Sequence, residues 1–290
     1  MDKVKKRKLD ILVLSDVHLG TYGCHATELL QYLKSVKPKT VILNGDIIDI
    51  WQFSKRYWPK AHMKVIKQIL HWMSKGVKIY YITGNHDEML RKFVGFKMGS
   101  LRIVNKVILP LESGKTAWFF HGDVFDITMQ HSKWLAKLGA IGYDTLILIN
   151  RVVNFISEKV FKRGKLSLSK KIKNSVKSAV KFINNFEQTA ADIAIENQYD
   201  FVVCGHIHQP EMREISNDHG KTMYLNSGDW IENLTALEYV NNEWSIYRFT
   251  ENEIEIEIDK KESAISEEDD LNDSELFDNL VEEFNLMRQK

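Results

Sequence analysis

The stretch Phe201-Val202-Val203-Cys204-Gly205-His206-Ile207-His208 decides how the rest of the chain is interpreted. Its first three residues form an apolar run that is typical of a buried strand, and the run ends in a glycine turn. The two histidines are two residues apart, so in an extended chain they point to the same side, and the glycine lets the backbone approach a ligand. The stretch therefore predicts a strand that ends in a pair of metal-binding histidines.

Four earlier apolar runs end in the same way. We predict strands over residues 9–14, 40–43, 77–82 and 117–120, with helices over 27–36 and 62–74 between the first three. The polar residues that follow these strands are Asp16 and His18, Asn44-Gly45-Asp46, Gly84-Asn85-His86-Asp87, and His121-Gly122-Asp123. Alternating strands and helices predict an α/β fold in which a site forms at the carboxyl ends of the strands.

The alternation of strands and helices stops after residue 124. Residues 125–197 show no strand pattern and are predicted to be helical, and strands resume at 201–203, 222–225, 235–240 and 244–249, the last three antiparallel. We therefore predict one domain over residues 1–250 with a helical insertion at about 126–198. A tail follows at 251–290, with an edge strand at 254–258, an acidic disordered part and a short amphipathic helix at 274–287.

Composition is ordinary for a globular protein, but charge is unevenly distributed. The 290 residues are 44% hydrophobic and 27% charged, with a net charge of +1. Residues 131–181 contain twelve basic and two acidic residues, whereas residues 251–290 contain fifteen acidic and four basic ones. Two cysteines give no disulfide framework, and the apolar run near the N-terminus is too short for a signal peptide or a spanning helix, so we expect a cytoplasmic protein.

The polar residues at the strand ends form a candidate metal site. Its members are Asp16, His18, Asp46, Asn85, His121, His206 and His208. Histidine, carboxylate and amide ligands together suit Mn²⁺, Fe²⁺ or Zn²⁺ better than Ca²⁺ or a lone Mg²⁺. One such histidine is more often structural than a ligand, but a structural explanation would have to apply at all five strand ends. Seven ligands exceed the need of one ion, so one shared carboxylate would divide them between two ions about 3.5–4 Å apart.

In this order, the five motifs resemble those of the calcineurin-like metallophosphoesterases, and the resemblance covers residues 9–249. It implies a four-layer α/β/β/α sandwich, here with a helical insertion, and two divalent metal ions, most readily Mn²⁺. Carried over motif by motif, it also implies the ligands of each ion. Asp16, His18, Asp46 and His208 would bind the first ion, and Asp46, Asn85, His121 and His206 the second, with Asp46 as the bridge.

Within that superfamily the chain is similar to the UDP-2,3-diacylglucosamine pyrophosphatases of lipid A synthesis. The similarity rests on residues 15–19, 45–51 and 228–230 and on the position of the insertion. It implies hydrolysis of UDP-2,3-diacylglucosamine to UMP and 2,3-diacylglucosamine 1-phosphate (lipid X). Two positions differ: His86 stands where that family has arginine, and Thr128-Met129-Gln130 stand where it has an acidic pair.

The expected mechanism has no covalent enzyme intermediate. A hydroxide that bridges the two metals would attack phosphorus in line. His86 would either protonate the leaving oxygen or hold the charge of the phosphate, and Asp87 would orient its ring. A purely structural role for His86 is the alternative.

The insertion combines basic and apolar residues, which favours binding to an anionic membrane surface, so we expect a peripheral protein of the inner membrane. Its aliphatic residues could instead pack on the domain while its lysines remain solvated. Two other functions stay open. One is a phosphodiesterase that acts on nucleotides, nucleic acid or another phospholipid-like substrate, although the stretch has few aromatics for base stacking and we expect no nucleic-acid partner. The other is a non-catalytic scaffold.

Overall fold

A computed structural model describes residues 6–51, 57–125, 183 and 185–250, and its strands form two sheets. The predictions for residues 126–182 and for the tail at 251–290 lie outside the described residues. Among the helices of the described part, none is long and apolar enough to cross a membrane.

The first sheet contains the strands and helices that the sequence predicted for the N-terminal part. Strands β1 (Arg7–Leu14), β2 (Val36–Asn44) and β3 (Lys78–Ile82) are parallel neighbours. Helix α1 (Ala26–Ser35) connects the first two, and helix α2 (Lys60–Ser74) connects the second and third. The predicted α/β layout is confirmed.

Four further strands complete this sheet, and they lie on both sides of the parallel centre. They are β4 (Lys97–Met98), β5 (Leu101–Val104), β11 (Thr235–Val240) and β12 (Glu243–Arg248), in the order β12-β11-β1-β2-β3-β5-β4. The antiparallel pairing predicted for the last two is confirmed. The sequence pattern did not predict β4 and β5, which follow a 3-10 helix (Glu88–Phe93).

The second sheet contains five strands in the order β6-β7-β8-β10-β9. They are β6 (Lys106–Pro110), β7 (Thr116–Phe120), β8 (Phe201–Cys204), β9 (Glu211–Asn217) and β10 (Gly220–Asn226). Strand β8 pairs in parallel with both β7 and β10, and β10 pairs antiparallel with β9. The insertion therefore separates two strands, β7 and β8, that are neighbours in the sheet.

Side chains alternate in direction along the strands, so each sheet packs against other elements on both of its faces. Ile11 and Val13 of β1 contact the second sheet, and Leu12 and Leu14 face α1 and α2. On the second sheet, Phe119 faces inward, with Trp118 and Phe120 on the outside. The result is one apolar core between the sheets and one on the outer face of each sheet.

The outer face of the second sheet is covered by a helix over residues 185–196, here called α3. Its apolar face consists of Phe186, Ala190, Ala191 and Ala194, all fully buried against Val202, Cys204 and Tyr224. With α1 and α2 on the first sheet, α3 completes four layers in the order α/β/β/α. The predicted four-layer sandwich is confirmed, and the end of the predicted insertion supplies its fourth layer.

Candidate metal centre

The loops after β1, β2, β3, β7 and β8 lie side by side at one end of the sandwich. Backbone hydrogen bonds join them: the Asp16 N–H donates to the Gly45 carbonyl at 3.1 Å, and the Gly205 N–H donates to the His121 carbonyl at 3.0 Å. The His18 N–H donates to the Asp46 carbonyl at 2.9 Å. The structure therefore brings the strand ends together where the sequence predicted a site.

Possible ligand atoms gather into three overlapping clusters. Asp16, His18 and His208 form one, and Asp46, His121 and His206 form another. The third joins them and consists of His18, Asp46 and His86. Within each cluster the ligand atoms lie within 4.8 Å of one another. Six of the seven candidate ligands are thus close enough to share ions, and Asp46 belongs to two clusters.

Five of these residues have left-handed backbone conformations. Positive φ angles are found at Asp16 (51°), His18 (53°), Asp46 (54°), His206 (67°) and His208 (60°). Residues with side chains rarely adopt this conformation, which costs about 1–3 kcal/mol at each position. Strain of this kind persists where the surrounding bonds enforce it, and the bonds between the loops do so here.

Two glycines allow the loops to approach this closely. A Cβ atom at Gly84 would lie 2.2 Å from Oδ1 of Asp46 and 2.7 Å from its backbone nitrogen. At Gly205 it would lie 2.7 Å from Oδ2 of Asp16. Any side chain at either position would therefore displace a candidate ligand.

The ring of His121 is oriented by a backbone carbonyl. Its Nδ1 lies 2.9 Å from the carbonyl oxygen of Asn44, which can only accept, so Nδ1 is the donor. In the neutral ring, Nε2 then presents a lone pair towards Oδ2 of Asp46, 3.3 Å away. Two lone pairs that face each other at this distance are suited to bind one cation.

The rings of His18 and His208 are oriented by buried carboxylates that the sequence analysis did not assign to the site. Nδ1 of His18 lies 3.5 Å from Oδ2 of Asp49, and Nδ1 of His208 lies 3.5 Å from Oδ2 of Asp229. Asp229 is itself fixed by the backbone N–H groups of residues 231, 232 and 233. Carboxylates behind histidines are characteristic of metal ligands, because they fix the tautomer and the ring orientation. In the sequence, the feature that could have identified Asp49 is its position three residues after the candidate ligand Asp46.

Two buried polar atoms fit the presence of metal ions. Nε2 of His18 and Oδ1 of Asn85 are buried and make no hydrogen bond with the part of the chain that the structure describes. Buried polar atoms without partners are costly, and coordination would satisfy both. The residues present therefore fit a centre for divalent metal ions with nitrogen and oxygen ligands.

Strong electrostatic coupling links the carboxylates and the imidazoles. Burial disfavours the charged carboxylates of Asp16 and Asp46, but the facing histidines outweigh it, so the pKa of each lies below its ordinary value. Burial also disfavours the charged ring of His208, but Asp16 and Asp229 raise its pKa to about 10. The pKa of His121 is raised in the same way by Asp46. A proton here occupies the place of a cation, so metal binding releases protons.

His86 is held by a carboxylate other than the one predicted. Its Nδ1 lies 3.0 Å from Oδ2 of Asp49. Asp87, which we expected to orient this ring, instead accepts from the N–H groups of Ile47 and Gly84 and from the hydroxyl of Tyr81. Its carboxylate joins the loops after β2 and β3, so its observed contacts are structural.

A cavity of about 390 Å³ adjoins the centre at His121. Its walls are mostly apolar, and Arg91 and Lys106 lie among them. The remaining lining residues are Thr83, Asn105, Trp118, Phe120, Gly122, Asp123, Val124, Phe125 and Ile193. The site therefore combines a polar centre with an apolar recess.

Comparisons with known proteins identify a matching family model and similar proteins. The family model described as calcineurin-like phosphoesterase matches residues 9–210. The chain is 25% identical over 219 residues to the UDP-2,3-diacylglucosamine hydrolase of Blochmanniella pennsylvanica, a match that covers 71% of this chain and 82% of that protein. It is 24% identical over 254 residues to the protein of that name in Aliivibrio fischeri, covering 83% and 98%. Among solved structures, a dimetal phosphatase from Danio rerio has a TM-score of 0.40 and 11% identity, covering 82% of this chain and 95% of the other.

Proposed function

The chain belongs to the calcineurin-like phosphoesterase family and is a metal-dependent phosphoesterase, and we propose that it hydrolyses UDP-2,3-diacylglucosamine. The products would be UMP and 2,3-diacylglucosamine 1-phosphate, as in lipid A biosynthesis. The observation that carries the hydrolytic part is the convergence of the three clusters of candidate ligands on one point. The substrate is suggested by the names of the curated relatives.

We assign the ligands of two ions as follows. Asp16, His18, Asp46 and His208 hold one, and Asp46, Asn85, His121 and His206 hold the other, with Mn²⁺ as the proposed metal. When bound, divalent ions supply positive charge for the phosphate oxygens and lower the pKa of water. The strained backbone and the carboxylates behind the rings keep these side chains in place before the substrate arrives.

His86 is proposed to donate a proton to the leaving oxygen. Its Nδ1 faces Asp49, which leaves Nε2 as the nitrogen that contacts the substrate. Burial lowers the pKa of His86, but the hydrogen bond to Asp49 and the charges of Asp46, Asp49 and Asp16 outweigh this and raise the pKa. The raised pKa favours the protonated ring, which is the form that a general acid requires. Asp49 is a positioning residue, and we assign Asp87 a structural role in joining the two loops.

The apolar recess is proposed to take part of the acylated half of the substrate. Trp118, Phe120 and Phe125 line it beside His121, and apolar walls with a few polar groups are typical of ligand pockets. A substrate with acyl chains would also account for a basic, apolar insertion at about residues 126–198 that contacts an anionic inner membrane from the cytoplasm. In this proposal the catalytic domain spans residues 1–250, and the acidic tail lies outside it.

The test is an assay of UMP release. The purified chain with Mn²⁺ is mixed with UDP-2,3-diacylglucosamine, and UMP is measured by chromatography. Release of UMP at a rate that depends on added metal supports the proposal. The matched control is Asp10→Asn, which removes a carboxylate that pairs with Lys39 on the surface, and it should hydrolyse the substrate like the wild type. If the chain released no UMP but hydrolysed a simple phosphodiester, this substrate would be rejected and the assignment as a hydrolase would stand.

A second candidate follows from His86. The lipid A family to which the chain is similar has arginine at this position, and histidine there suits a phosphodiesterase that acts on a nucleotide or on another phospholipid-like substrate. Parallel assays with a cyclic nucleotide and a lysophospholipid separate the two. Turnover of either at a higher kcat/KM than UDP-2,3-diacylglucosamine favours the second candidate.

A further inference from the structure

Residues 92–99 form an unusual surface segment, because all eight are exposed and four are large and apolar. The exposed fractions are 39% for Phe93, 41% for Val94, 51% for Phe96 and 42% for Met98. Single exposed apolar residues are normal, but a cluster in one short segment marks an interaction surface. The segment is therefore a candidate interaction surface.

The charge around the segment identifies the partner's chemistry. No acidic residue occurs between Glu88 and Glu112, whereas this stretch contains Arg91, Lys92, Lys97, Arg102 and Lys106. Lys97 and Arg102 lie directly opposite each other on β4 and β5. Like charges in this arrangement destabilise a sheet, and neither has a carboxylate within ion-pair distance among residues 6–51, 57–125 and 185–250. The pair therefore has no counter-ion in the part of the chain that the structure describes.

Backbone hydrogen bonds hold the segment in one conformation. The Gly95 N–H donates to the Ile103 carbonyl at 2.9 Å, and the Ile103 N–H donates to the Phe96 carbonyl at 3.1 Å. The Val94 N–H donates to the Arg91 carbonyl at 3.2 Å. The apolar side chains are therefore presented from a fixed base, which lowers the entropic cost of binding.

The segment also borders the metal centre. It follows His86 after the short 3-10 helix, and Arg91 at its start binds the carboxylate of Asp123, two residues after His121. Whatever binds the segment is held beside the mouth of the site.

We propose that residues 91–98 with Arg102 and Lys106, here called the basic-apolar edge, dock on the surface of an anionic lipid bilayer. The apolar side chains enter the boundary between headgroups and acyl chains, and the cations bind lipid phosphates. This inference goes beyond hydrolysis and involves different residues from the insertion predicted at about 126–198. Phe93 and Phe96 could stack on bases, but Val94 and Met98 could not, and a mixed aliphatic and aromatic set favours lipid over nucleic acid.

The first experiment measures partition of the full chain between buffer and vesicles by flotation. Vesicles of phosphatidylcholine are compared with vesicles that also contain phosphatidylglycerol. The charge variant is Lys97→Glu with Arg102→Glu. Its matched control is Lys8→Glu with Lys37→Glu, since Lys8 and Lys37 are also opposite each other on neighbouring strands, β1 and β2, which carry no exposed large apolar residue. Both double variants change the net charge equally.

The wild type should float with the anionic vesicles. Reversing Lys97 and Arg102 should lower the partition coefficient by at least about 30-fold, and the control pair by less than about threefold. A second variant, Phe93→Ser with Phe96→Ser, keeps every charge and should lower it by at least about tenfold. The proposal is overturned if the two charge variants have equal partition coefficients, or if both edge variants partition like the wild type. The proposal is also overturned if the chain does not bind the vesicles but binds a single-stranded oligonucleotide through Lys97 and Arg102.

A fluorescent probe distinguishes this edge from any other membrane contact. An environment-sensitive dye is attached at Val94→Cys. Cys204 is buried, and burial raises the pKa of the half-buried Cys24 to about 12, so both native thiols should react more slowly with the label than an exposed cysteine. A blue shift on addition of anionic vesicles supports insertion of the edge. Flotation without a shift means that another segment binds lipid, and it overturns the proposal without affecting the proposed hydrolysis.

Discussion

The carboxyl ends of the central strands and the basic-apolar edge depart from ordinary surface and core composition in opposite ways. At the strand ends, Asp16, Asp46 and Asp229 are almost completely buried, whereas at the edge Phe93 and Phe96 are exposed. Both arrangements cost folding free energy, because charges prefer water and aromatic rings avoid it. The two regions differ in what compensates this loss of folding free energy. The buried carboxylates have their partners inside the chain, whereas the exposed rings are proposed to find theirs in a lipid bilayer.

Asp46 gives the largest test of this comparison, because its carboxylate belongs to two of the three clusters. Asp46→Asn keeps an acceptor for the backbone N–H of His86 but removes the charge shared by the candidate ions. We expect loss of bound metal and a fall in kcat of at least about a thousandfold, since metal charge contributes several kcal/mol to the transition state. Elemental analysis and steady-state kinetics check this, and a variant that retains its metal and most of its rate would contradict the shared role.

Gly84→Ala tests the close packing of the strand ends. The added methyl group would lie 2.7 Å from the backbone nitrogen of Asp46, so the loop after β2 or β3 must move. A displacement of about 1 Å in a catalytic group can cost about a hundredfold in rate, and we expect a loss of that size in kcat. The control is Gly114→Ala, where φ is +80° and no atom lies within 4 Å, so that only backbone strain is added. The control should lose about 1 kcal/mol of stability and no activity, and equal losses of activity would contradict the steric explanation.

Sequence reasoning succeeded where the chain alternates regularly. The parallel strands β1, β2 and β3 are buried over their C-terminal residues, so each ends in an apolar run followed by a polar motif, and both features are visible in one sequence. Strands β4, β6 and β9 at the sheet edges, and β5 beside β4, were missed because few of their residues are buried, so they lack the buried apolar runs of the central strands. The strand ends were therefore predictable, and the basic-apolar edge was not.

The carboxylates behind the histidines show a second limit of the sequence. Asp87 is adjacent to His86 in the chain and was the natural choice to orient its ring, but the contact is made by Asp49 from the loop after β2. Which carboxylate reaches a ring depends on the direction of each loop, and that direction is set by the left-handed residues. Motifs indicate the candidate ligands, whereas tertiary structure shows which carboxylates orient them.

Asp49→Asn tests this support directly and should have a smaller effect than the changes above. Asp49 contacts both His18 and His86, and loss of such a carboxylate typically costs about 10–100-fold in metal affinity or activity. We expect kcat to fall by such a factor. Metal content separates the two contacts: retained metal with a lower kcat indicates that Asp49 acts through His86, and lost metal indicates His18. An unchanged kcat would contradict both.

The smallest expected effect concerns the stability contributed by the basic-apolar edge. Phe93→Ser with Phe96→Ser should lower the free energy of unfolding by only about 1 kcal/mol, because both side chains lie at the surface and are only partly covered by the fold. Phe119→Ala is the contrasting variant: its ring is fully buried between the two sheets, and its loss should cost about 3–5 kcal/mol. Urea denaturation measures both. If the edge variant lost as much stability as the core variant, the exposed phenylalanines would belong to the fold itself, and they would need no partner outside the chain.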